Sequence, residues 1–126
     1  MTDSSNNIPD SIALPDHELN GVHLATSDIT LDNGLRVLLT PMDRATSVGI
    51  SLYVKAGSRY ESTESESGLS HFLEHLCFKG TARRPDPVEI SRELDQLGGG
   101  VNAVTDRELT GYYGKMTPDA ALRGLA

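Results

Sequence analysis

In the stretch "GLSHFLEHLCFKGT", from Gly68 to Thr81, His71 and His75 stand four residues apart, with Glu74 just before the second. On a helix, residues at i and i+4 lie one above the other, so both imidazoles can converge on one zinc ion. Glu74 cannot easily be a third ligand from so short a stretch. It can instead take a proton from water that the metal has made acidic. The order is H-x-x-E-H, the inverted form of the HExxH arrangement. A plainer reading also exists: polar residues opposite an apolar stripe are ordinarily the solvated face of an amphipathic helix. With 4 His and 8 Glu in 126 residues, chance supplies roughly 0.008 matches to the full pattern. The pattern therefore favours zinc.

Such a face must be held by a frame. At about 100° per residue, Leu69, Phe72, Leu73 and Leu76 share one side of the helix, and His71, Glu74, His75 and Phe78 the other. The apolar side is expected to pack into the core and the polar side to face outward. The helix is expected to open near Ser67 and stop at Gly80, with Lys79 in its last turn. Cys77, the single cysteine, reads as a small packed side chain.

Before this helix, Ile29 to Pro41 reads as a β-hairpin turning at Asn33-Gly34. Ser47 to Gly57 reads as a strand whose Val48, Ile50, Leu52 and Val54 share a buried face. After it, Asp86 can cap and Pro87 begin a second helix with an Ile90, Leu94, Leu97 stripe, ended by Gly98. The run Gly98-Gly99-Gly100 permits a sharp turn. Val101–Thr105 and Leu109–Met116 read as a strand pair, and a third helix begins near Pro118 and is cut off early. The order predicts an α+β fold, a two-layer sandwich of a mainly antiparallel sheet with helices on one face, incomplete at the C-terminus.

The net charge of −7 is uneven. Residues 1–28 hold Asp3, Asp10, Asp16, Glu18 and Asp28 but no Lys or Arg, so they are expected to be mostly disordered. Residues 29–126 are expected to form the folded part. No secretory or transit signature stands at the start, which points to a cytoplasmic location. The apolar runs are too short for a transmembrane helix, and no basic patch suggests nucleic acid.

Taken together, "GLSHFLEHLCFKGT", "DQLGGGVNAVTDRELTGYY", "LDNGLRVLL" and "VGISLYVKAGSRYE" resemble the pitrilysin/insulinase/mitochondrial processing peptidase family, the inverzincin metallopeptidases. The similarity runs in unbroken order from Ile29 to Ala126. It implies that His71 and His75 are ligands of one Zn2+ ion and that Glu74 is the general base. It also implies that Asn102 and Ala103, on a strand edge, pair with the backbone of a peptide or unfolded protein substrate. The family's third ligand is a glutamate on a later helix, expected beyond Ala126. Glu89, Glu93 and Glu108 carry no warrant for that role.

The leading expectation is the N-terminal part of a zinc-dependent metalloendopeptidase. Missing downstream domains or a partner subunit would complete its site, and the isolated chain is expected to be weakly active or inactive. The alternatives are a non-catalytic peptide-binding or assembly subunit, or an inactive fragment.

Overall fold

The structure is a computed structural model that describes residues 12–13, 17–19 and 22–125. Its folded elements fall into two units, divided between Ala45 and Thr46. No helix among the described residues is long and apolar enough to cross a membrane.

The first unit is built from short antiparallel ladders. Strands β1 (Ile12–Ala13), β4 (Ser27–Thr30) and β5 (Arg36–Leu39) form one sheet with β4 in the middle, while β2 (His17–Leu19) pairs with β3 (Val22–Leu24). The disorder expected for residues 1–28 thus lies partly outside the described residues, and the described ones pair as strands. The hairpin of β4 and β5 turns as its Asn-Gly pair leads one to expect. The Asn33 side chain accepts from the Leu35 amide at 3.0 Å, and Gly34 takes a φ of 83°. The turn is wider than a two-residue hairpin loop, with the Leu31 amide bonded to the Leu35 carbonyl. Arg36 grips Asp28 across the ladder through two nitrogens, at 2.9 and 2.6 Å. That hydrogen bond holds the Asp28 carboxyl below its usual range.

The second unit contains His71, Glu74 and His75. Strand β6 (Val48–Val54), β7 (Val101–Thr105) and β8 (Thr110–Met116) form an antiparallel sheet in the order β6-β8-β7. Helices α1 (Leu69–Leu76), α2 (Pro87–Asp95) and α3 (Ala121–Gly124) complete it. Register explains the two layers. Ile50 and Val101 both stand opposite Gly114, so Val48, Ile50, Val101 and Met116 share one face. They pack there with Leu94, Leu97, Ala120 and Ala121. The other face, with Ser51, Asn102, Tyr113 and Lys115, is exposed. The protein is therefore α+β with an antiparallel sheet covered on one face. Along β6, burial reaches Val48 and Ile50 but not Leu52 or Val54.

Local signals hold well around α2. Asp86 accepts from the Val88 amide at 2.8 Å, Pro87 opens the helix, and Ile90 is buried. Beyond it, Gly98 has a φ of 74° and the chain runs close beside β8. A Cβ on Gly99 would overlap the Lys115 carbonyl oxygen. That close approach lets the helix turn directly into β7 and sets its register.

The apolar side of α1 does not take the buried position expected of it, and of the polar side Glu74 alone is buried. Leu69, Phe72, Leu73 and Leu76 are 47, 59, 51 and 41% exposed, whereas Glu74 is 8% exposed. Periodicity identifies two faces but not which one meets the sheet. Here β7 offers Glu74 a hydroxyl partner, and a carboxylate so paired can be buried. The helix also closes earlier than Gly80: after Leu76 the amides of Phe78 and Lys79 bond three residues back, a tightened final turn.

Candidate metal centre

The site begins with what orients α1. The amides of its first turn have no partners within the helix. Glu61, in the loop after β6, fills that gap: its carboxylate accepts from the Gly68 amide at 2.8 Å and the Ser70 amide at 3.0 Å. These amides, Ser70 first, hold the Glu61 carboxyl below its ordinary range. The negative charge also sits at the positive end of the helix. The loop is braced in turn, as Glu66 accepts from the Ser62 amide and hydroxyl, both at 2.8 Å.

From this fixed start, His71 and His75 rise one turn apart, both exposed. Their Nε2 atoms lie 3.0 Å apart and their ring centroids 4.6 Å apart. Zinc–nitrogen bonds of about 2.0–2.1 Å in a tetrahedral site separate two ligating nitrogens by roughly 3.3 Å. The imidazole pair fits that demand. Among the described residues, no group of three or more His, Cys, Asp or Glu is placed to hold a metal. Glu93 is drawn to Arg84 at 2.6 Å and Glu108 to Arg59 at 2.8 Å, which occupies both elsewhere.

Glu74 points from the same helix toward the sheet. Its Oε2 accepts from the Thr105 hydroxyl at 2.5 Å. Thr105 ends β7 directly opposite Thr110, and the Thr110 hydroxyl donates to the Ala56 carbonyl at 2.9 Å. No described residue donates to the other Glu74 oxygen. One turn further along, Cys77 is exposed rather than packed, and its Sγ lies 3.3 Å from the Tyr112 hydroxyl. Burial first, then the contact with Cys77 and the nearby Glu74 charge, push the Tyr112 phenol up to about 12.

Strand β7 is an edge strand, as the pairing role expected of Asn102 and Ala103 requires. Its backbone parity divides those two residues. The Lys115 amide bonds to the Gly100 carbonyl and the Asp106 amide to the Leu109 carbonyl. With hydrogen-bonded pairs alternating along the ladder, Asn102 and Val104 spend their backbone groups on β8. Val101, Ala103 and Thr105 turn theirs outward. Ala103 is thus placed to pair with an incoming strand. Asn102 instead reaches round with its side chain, whose oxygen accepts from the Ala103 amide at 2.9 Å.

Sequence reasoning missed Glu61 and Thr105. Glu61 lies seven residues before Gly68, outside any local capping pattern, and Thr105 lies 31 residues from Glu74.

A helix bearing H-x-x-E-H across an antiparallel sheet, with an open strand edge beside it, defines an inverzincin-type frame. Comparison with known proteins agrees. The profile of the insulinase family, peptidase family M16, matches residues 36–125, and the chain belongs to that family. It is 44% identical over 94 residues to the mitochondrial-processing peptidase subunit beta of Dictyostelium discoideum, covering 75% of this chain and 20% of that protein. It is 48% identical over 99 residues to an uncharacterized zinc protease of Rickettsia felis, covering 76% and 24%. Among solved structures, pitrilysin superposes with a TM-score of 0.73 at 30% identity, covering 88% of this chain and 12% of that one. A protease from Helicobacter pylori gives 0.72 at 32% identity, covering 79% and 24%. The chain spans about a fifth to a quarter of the length of these curated relatives.

Proposed function

We propose that these residues supply two zinc ligands, the general base and the substrate-pairing strand of a metalloendopeptidase. The observation that carries this reading is the His71 and His75 Nε2 pair at 3.0 Å with Glu74 between them on one helix. The names of the M16 relatives, zinc protease and processing peptidase, support the same class.

Bound zinc would supply Lewis acidity, acidifying water and polarising a carbonyl. The chain's own residues do the rest. His71 and His75 would hold the ion through their paired ring nitrogens. Glu74, with Oε2 tethered to Thr105, has its second oxygen to accept a proton from water and return it to the leaving amide nitrogen. The outward backbone groups of Val101 and Thr105 and the Ala103 carbonyl align an extended peptide as an added strand, and the Ala103 amide joins them when the Asn102 side chain releases it. Recognition of backbone in this way tolerates varied side chains.

A third protein ligand is needed for firm metal binding, and we infer that it comes from outside these 126 residues. Calorimetric zinc titration tests the reading. The chain should bind zinc weakly, and His71→Ala or His75→Ala should abolish the binding. Binding that survives both substitutions contradicts the assignment. Tight stoichiometric binding places the third ligand within the chain. In the full natural protein, intact zinc binding without peptide hydrolysis would identify a peptide-binding subunit instead.

A further inference from the structure

The short contact between Glu74 and Thr105 has consequences beyond burial. Thr105 has one hydroxyl hydrogen to give. The Thr110 oxygen lies 3.4 Å away, at the limit of a hydrogen bond, whereas the Glu74 carboxylate oxygen, which can only accept, lies at 2.5 Å. The Thr105 hydrogen is therefore committed to Glu74 Oε2. At 2.5 Å the bond has the length of a charge-assisted hydroxyl–carboxylate pair.

We propose that Thr105 is a positioning residue for the general base, fixing the Glu74 carboxylate by one oxygen so that the other faces water. This rests on Glu74 being the base. A glutamate side chain has three rotatable bonds, and the helix backbone alone does not set the carboxylate plane. The tether to a strand does. Thr105 also turns its backbone amide and carbonyl to the open edge of β7, so one residue carries both the base's tether and part of the peptide's docking line. The distance from a paired peptide backbone to the proton acceptor is thereby set within a single residue. The branched side chain suits this role, because its restricted χ1 on a strand keeps the hydroxyl aimed at the helix.

The test has two arms. In the full natural protein, Thr105→Val should lower kcat by about 10- to 100-fold, the usual range for groups that orient active residues. KM and zinc content should be unchanged, and Thr105→Ser should restore most of the rate. In the isotopically labelled 126-residue chain, the Glu74 side-chain carboxyl carbon signal should move in Thr105→Val and stay near its wild-type position in Thr105→Ser. A Thr105→Val protein with wild-type kcat, alongside an inactive Glu74→Gln, overturns the positioning role while leaving the base in place. An active Glu74→Gln overturns both. Should Thr105→Val not fold, the wild-type Thr105 hydroxyl proton decides: slow exchange that is lost in Glu74→Ala supports the tether, and fast exchange in the wild type refutes it.

Discussion

The two sides of α1 do not divide into buried apolar and exposed polar as in an ordinary amphipathic helix. Its apolar face, with Leu69, Phe72, Leu73 and Leu76, is about half exposed, while on the other side Glu74 is buried against the sheet and His71 and His75 are exposed. The difference teaches that a carboxylate can take the buried side when a partner is waiting. Thr105 supplies that partner from β7, and Glu61 satisfies the amides at the helix start. The polar face is thus held by specific bonds, and the apolar face contributes little to the folding of these residues.

That contrast can be broken from either side. The largest effect should come from the ligands. His71→Ala or His75→Ala should reduce zinc affinity by at least about 100-fold while leaving the fold intact, since both rings are exposed. Calorimetry and circular dichroism would check the two halves of that statement. Next comes the buried bond. Thr105→Val leaves a buried carboxylate oxygen without its donor and should cost about 1–3 kcal/mol in urea unfolding, with Thr105→Ser far milder. On the other face, Phe72→Ser should change stability by no more than about 0.5 kcal/mol, because the 59% exposed ring gives up little contact. A larger loss would mean that the apolar face is packed after all.

The smallest effect concerns Glu61. Its carboxyl is held below its ordinary range, so it contributes stability above its unfolded-state value, near the 4.5 of a free glutamate, and loses it as pH falls through the folded value. Glu61→Gln should therefore lower the melting temperature near neutral pH. The gap to wild type should begin to close as pH falls below about 4.5 and go on closing as it passes through the lower folded-state value. A gap that stays constant would show that the Glu61 charge plays no part in holding α1.

Much of this was legible in the residues. Asp86, Pro87 and Gly98 mark α2 because caps and stops act within a few positions. H-x-x-E-H marks the candidate metal face because ligand spacing on a helix is itself local. The inward turn of Glu74 was not legible, since its cause sits on another strand. Nor was the division of labour between Asn102 and Ala103. Hydrogen-bond parity decides it, and parity follows from the register that Gly99 and the turn after α2 impose on β7. Alternation named the strand without saying which amides face out.

Glu74→Gln in the full natural protein tests the central claim most directly, with zinc content and peptide hydrolysis measured on the same preparation. Glutamine keeps the shape and can still accept from Thr105, but it cannot take a proton from water. The account predicts full zinc occupancy with hydrolysis reduced by about 100- to 10,000-fold, the usual contribution of a positioned base. Hydrolysis at the wild-type rate would contradict it.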